Sequence, residues 1–164
     1  MMTSTPNPLD PGHETRLRAL GLTFLPKGPP KPSVDACVEV DGMLYVSGHG
    51  PEDDAGNLLF RGRVGAEVSL DEAVAAARAT GLQILRSARE HLGSLDRVVR
   101  VVKLLALVNS ASDFHEQPAV VNGCSDLLVE VFGPAGRHAR SAMGTSNLPG
   151  NQPVEIEAIL QVRP

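Results

Sequence analysis

The sequence predicts an α+β fold of order β-β-α-β-α-β-β, one mixed sheet with two helices packed on one face. Asp41-Gly42 joins two short runs of alternating hydrophobicity, a strong hairpin signal. Ser69-Leu70-Asp71-Glu72 is a capping box that opens a long apolar stripe of period 3 to 4. Between them and the C-terminus, residues 97–109 are so rich in Val and Leu that only a central strand suits them.

Taken in order, residues 1–12 offer Thr, Ser, Asn, Pro and Gly with little to bury and read as a mobile tail. Residues 13–20 predict a short helix with Leu17 and Leu20 on one side and Gly21 as its stop. The Pro- and Gly-rich run 26–32 excludes helix and central strand and reads as a connector. Residues 1–31 are therefore assigned to tail and connector, and 32–164 to a single domain.

From Val34 the period is two, with Val34, Ala36, Val38 and Val40 alternating with Asp35, Cys37, Glu39 and Asp41. The second strand, from Met43, ends at Ser47-Gly48-His49-Gly50-Pro51, where two glycines admit a close approach of backbone or ligand. Residues 52–62 read as a solvated loop. On the long helix, Leu70, Val74, Ala77, Gly81, Leu85, Ala88 and Leu92 form one stripe ending at Gly93, and Ala76, Ala77 and Gly81 keep it thin enough to lie close on a sheet.

Ser112 or Asp113 is expected to cap a second helix whose first turn takes Pro118. Val121, Ser125, Leu128 and Phe132 share a side, and Gly133 is the stop. Two final strands follow, around Arg140 and from Val154, with Pro149-Gly150 turning between them. If they are neighbours, a cation and a carboxylate meet. Helices on one face leave the other sheet face apolar and uncovered, which predicts association with copies of the same chain.

Composition limits the function. The chain has 164 residues, enough for a core without staples, with 42% apolar and 21% charged residues. A net charge of -4 and a pI near 5.7 disfavour nucleic acid as a partner, because phosphate binding draws on Lys and Arg. Cys37 and Cys124, without a CxxC pattern, read as buried reduced thiols. No leader-like or membrane-length apolar run is visible, so a cytoplasmic protein is expected. His13, His91 and His115 are scattered without metal-ligand spacing, so no metal is expected, and no phosphate-binding or nucleophile-elbow motif is present, which disfavours nucleotide binding.

Arg140 is the first candidate for chemistry, since a guanidinium fork matches a carboxylate in two parallel hydrogen bonds and small neighbours (Ala139, Ala142, Gly144) leave room for a ligand. Glu155 alternates with core Val154 and Ile156 and could orient a water or carry a proton. His49 and His138 can carry protons near neutrality. Arg137 and Glu157 read as surface or structural groups.

Ser47-Gly48-His49-Gly50-Pro51 after the hairpin, Val121-Asn122-Gly123, Ala139-Arg140-Ser141, Leu148-Pro149 and Val154-Glu155-Ile156-Glu157-Ala158 resemble the YjgF/YER057c/UK114 (Rid) family from about Pro32 to Val162. The resemblance implies a chorismate-mutase-like fold, a homotrimer whose sheets form an inner barrel, and ligand clefts between subunits. It implies hydrolysis of 2-imino or enamine acids to keto acids and ammonia without a cofactor. Arg140 would clamp the carboxylate and Glu155 hold the water, with Asn122, Ser47, Gly48, His49, Ser33 and Ala142 around the substrate. Ser33 stands where deaminating members carry an aromatic residue, Ala142 where Cys is common, and His49 where Gln is usual. Those departures mark a divergent subgroup. A non-catalytic metabolite-binding trimer and, ranked last, a ribonuclease remain alternatives.

Overall fold

The computed structural model describes residues 11–26 and 32–164; the expected tail over 1–10 and the connector over 27–31 lie outside the described residues. Along the chain run α1 (His13–Ala19), β1 (Cys37–Val40), β2 (Met43–His49), α2 (Leu70–Leu92), β3 (Val98–Asn109), α3 (Gln117–Phe132), β4 (Ala139–Thr145) and β5 (Val154–Val162). The β-β-α-β-α-β-β order follows, with α1 as a third helix before it.

The five strands form one mixed sheet in the order β1-β2-β5-β3-β4. All pairings are antiparallel except β3 with β4. β3 is an interior strand, as expected, but not one buried on both faces. It lies second from the edge formed by β4, and within one chain only its helix-facing side is fully buried, Leu105 and Leu107 on the other side being partly exposed. The two final strands are consequently not neighbours. A parallel strand cannot be reached by a tight turn, so the chain leaves β3, crosses through α3 and returns as β4 on the far side, while β5 slots between β2 and β3.

Local signals decide the boundaries. Asp41 and Gly42 both have positive φ (50° and 74°), the requirement of a type I′ turn, and Val40 pairs with Met43. Ser69 and Glu72 close the capping box, and Gly93 ends α2 in the left-handed region. The second helix starts later than Ser112 or Asp113: Glu116 is its N-cap, without a side-chain cap, and Pro118 sits in the first turn.

Leu44, Val46, Leu104, Ala106, Val108, Ile156 and Leu160 face α2 and α3 and are at most a few per cent exposed. The opposite sheet face carries Val38, Val40, Tyr45 and Met143, all exposed. Cys37, not the Val34 to Val40 set, is therefore the buried side of β1. Gly81 faces α3 and not the sheet, since a Cβ there would lie 3.1 Å from Cys124 Sγ.

The second half of α2 is buried nearly all round, including Gln83, Arg86 and Ser87. Its outer side is covered by residues 22–26 and by the start of the 52–62 loop. Arg86, 4% exposed, donates from Nε to Leu25 O (2.7 Å) and from Nη2 to Pro26 O (2.9 Å) and Asp54 O (3.4 Å). Gln83 Nε2 donates to Glu52 O (2.8 Å). These bonds make burial of the polar groups tolerable. No described helix is long and apolar enough to cross a membrane.

Candidate functional site

Arg140 and its surroundings form one cluster of candidate site residues. α3 lies so close to α2 that a Cβ on Gly123 would fall 2.0 Å from Val74 O, and this approach seats Asn122 and Ser125 beside β4. Arg140 Nη1 donates to Asn122 Oδ1 (2.9 Å) and Ser125 Oγ (3.0 Å), and Nη2 donates to Pro118 O (3.1 Å). Both Nη1 hydrogens are thus engaged. The Nε–H and one Nη2–H stay unclaimed among the described residues, two donors, as many as a bidentate carboxylate takes.

Behind Ser125 stands His138, with Nε2 3.1 Å from Ser125 Oγ and Nδ1 2.6 Å from Gly136 O. A carbonyl only accepts, so Nδ1 carries the proton, and Nε2 accepts from the Ser125 hydroxyl, itself an acceptor from Arg140. Burial holds the His138 pKa below the ordinary imidazole value, helped by the Arg140 charge and opposed by the bond to Gly136 O. A cleft of about 690 Å³ opens here, lined by Ser125, Asp126, Val129, Glu130, Arg137, His138 and Arg140.

Glu155 belongs to a different cluster. It registers with Leu107 on the uncovered sheet face, whereas Arg140 registers with Leu104 on the helix face. Gly48 makes room for it, because a Cβ there would lie 2.5 Å from Glu155 Oε1. Its other oxygen, Oε2, accepts from Gln152 Nε2 at 2.8 Å. Gln152 in turn fills space opened by Gly50, where a Cβ would lie 1.9 Å from Gln152 Oε1. The glycines admit the protein's own side chains.

Ser47 donates from Oγ to Asp35 O (2.7 Å), tying β2 to the approach to β1. A bulge between Val46 and His49 turns the His49 side chain away from Glu155 and under α2, where Nε2 meets Ser87 Oγ at 2.7 Å. Ser33 is exposed in a turn before β1, and Ala142 lies half-buried two residues along β4 from Arg140. One chain therefore joins Arg140 with Asn122 and, on the same strand face, Ala142, and separately sets Glu155 against Gly48, while Ser47, the preceding residue of β2, turns its hydroxyl to Asp35 O. The expected meeting of Arg140 and Glu155 fails within the chain, since β3 and the thickness of the sheet separate them. Ser125 and Gln152 were missed by sequence reasoning; spacing carries no signal for Ser125, and the paired glycines were the only hint of Gln152.

Compared with known families, residues 14–157 match the one described as "YjgF/chorismate mutase-like, putative endoribonuclease". The chain belongs to this YjgF/chorismate mutase-like family. Protein TCP17 of Trypanosoma cruzi is 42% identical over 147 residues, 89% of this chain and 91% of that protein. Among solved structures, protein Atu1372 of Agrobacterium tumefaciens, of unknown function, is 38% identical with a TM-score of 0.82, over 92% of this chain and 91% of its own. A Shewanella oneidensis protein carrying the endoribonuclease label is 29% identical with a TM-score of 0.85, over 92% and 99%. This YjgF-like chain thus shares its fold with relatives over almost their whole length.

Proposed function

We propose that the chain assembles as a homotrimer and hydrolyses reactive 2-imino or enamine acids to 2-keto acids and ammonia, in clefts that pair the Arg140 half of one copy with the Glu155 half of the next. The carrying observation is that both charges are held by neutral groups alone. Arg140 rests on an amide, a hydroxyl and a carbonyl, and Glu155 on an amide. Arg78 with Glu130 and Arg97 with Glu39, by contrast, meet carboxylates, and Arg163, held like Arg140 by a carbonyl, is not joined among the described residues to a hydroxyl and an amide as Arg140 is. An uncompensated cation and an uncompensated anion suit a ligand that supplies the missing charge and proton. The exposed apolar patch of Val38, Val40, Tyr45 and Met143 offers the surface for association.

In the reaction the carboxylate of the substrate pairs with the Nε–H and the free Nη2–H of Arg140. Glu155 takes a proton from water as the oxygen attacks the electrophilic iminium carbon. The proton passes from Glu155 to the nitrogen of the tetrahedral adduct, and as the C–N bond breaks the adduct's hydroxyl gives its proton back to Glu155, so the carbonyl of the keto acid forms and ammonia departs. The ammonia then takes that proton as ammonium and the carboxylate is restored. Positioning and a modest base suffice. No cofactor takes part in this scheme.

The test is ammonia release from a 2-imino acid generated in situ by a pyridoxal-phosphate dehydratase. Wild type should accelerate it, and Arg140→Ala and Glu155→Gln should not. Co-expressed in equal amounts, the two inactive variants should regain about one quarter of wild-type activity, since each cleft of a cyclic trimer draws Arg140 and Glu155 from different copies. A monomer in solution, or no recovery on mixing, overturns the shared cleft. Saturable keto-acid binding that needs Arg140 but brings no turnover would make the chain a metabolite-binding trimer instead. Ribonuclease action ranks below both because of the net charge of -4.

A further inference from the structure

Gln152 is 6% exposed, a buried amide beside a carboxylate that the reaction needs. Its Nε2 donates to Glu155 Oε2 at 2.8 Å, and its position exists only because residue 50 has no Cβ, which would sit 1.9 Å from Gln152 Oε1. Gly48 does the same for the other oxygen, Glu155 Oε1. A carboxylate on a flexible stem has several rotamers. With one oxygen fixed by a buried donor and the other filling a side-chain-free space, a single one is selected.

We propose that Gln152 is a positioning residue: it holds Glu155 so that Oε1 faces the attacking water, and Gly48 and Gly50 are the two gaps that make this arrangement possible. The proposal rests on the deaminase reading for its kinetic consequence but not for its geometry. A base held in one rotamer meets its water without a search, so the effect falls on kcat and leaves substrate binding, an Arg140 property, unchanged. The His49 side chain takes no part, being fastened to Ser87 beneath α2.

Gln152→Leu keeps the volume and removes the donor; Gln152→Asn keeps the amide but shortens its reach. Both should lower kcat about 10- to 100-fold at constant KM. Gly50→Ala should behave alike, because its methyl displaces Gln152. In a Glu155→Gln background, Gln152→Leu should cost the residual rate nothing further. Equal losses in both backgrounds, a change in KM alone, or an unchanged kcat overturns the proposal. The geometry has a readout independent of turnover: the Gln152 side-chain amide protons, followed by NMR, should shift in Glu155→Ala. If ammonia release is absent in wild type yet this shift appears, the deaminase reading fails and the positioning of Glu155 stands; amide signals that ignore Glu155→Ala refute it.

Discussion

The surroundings of Arg140 and of Glu155, the two halves of the proposed cleft, restrain their charges in different ways. Arg140 sits on the edge strand β4 and is gripped by three acceptors that α3 supplies from Pro118, Asn122 and Ser125. Glu155 sits inside the sheet on β5, held by one amide donor and two missing Cβ atoms. A binding group gains from many fixed contacts, since its task is to be in place before the ligand arrives. A base needs one oxygen left open.

The largest expected effects should separate along that line. Glu155→Gln should lower kcat roughly 10²- to 10⁴-fold with little change in KM, the scale of a lost general base. Arg140→Ala should instead raise KM by about 100-fold or more, the loss of charge-assisted hydrogen bonds. Steady-state kinetics on the in-situ imine assay distinguishes them, and the same split in both variants would break the comparison.

Gly123→Ala comes next. Its methyl would press on the Val74 carbonyl of α2, so α3 must shift, and thermal unfolding should show a loss of about 1–3 kcal/mol. Because Asn122 is its neighbour, KM should rise while kcat holds. A Glu155-type effect would be unexpected there.

A smaller effect concerns acid. The folded His138 has a pKa below its ordinary 6.5, mainly through burial. As pH falls below about 6.5, the unfolded chain takes up this proton first, so stability is fully present above that value and declines toward the lowered folded pKa. Melting curves from pH 7.5 to 5 should show the decline in wild type and a shallower one in His138→Gln. The smallest effect is chemical: burial pushes the Cys124 thiol up to about 12, so alkylation at pH 8 should spare it until the protein unfolds.

Much of the fold was legible because it is encoded locally. Asp41-Gly42, Ser69 with Glu72, and Gly93 each act within a few residues, and each produced its element. The relation between Arg140 and Glu155 was not legible. β4 reads Ala-Arg-Ser-Ala-Met-Gly-Thr, without an apolar alternation to say which face Arg140 takes, and strand order depends on pairing across distant sequence. Gln83, Arg86 and Ser87 lie off the apolar stripe that the sequence defines on this helix; Arg86 is covered by a segment some 60 residues earlier, Gln83 meets Glu52 and Ser87 meets His49, contacts that no local pattern announces.

That segment has a consequence for how the molecule opens. Lifting residues 22–26 from α2 would strip the Arg86 guanidinium of Leu25 O and Pro26 O while it still faced Asp54. A cation so nearly dry tolerates little loss of acceptors, so the segment and the start of the 52–62 loop should detach together as one cooperative unit. Hydrogen exchange would register it as amides on both stretches sharing a single opening free energy, below that of the β3–β5 ladder, and a protease would find the two stretches exposed in the same event.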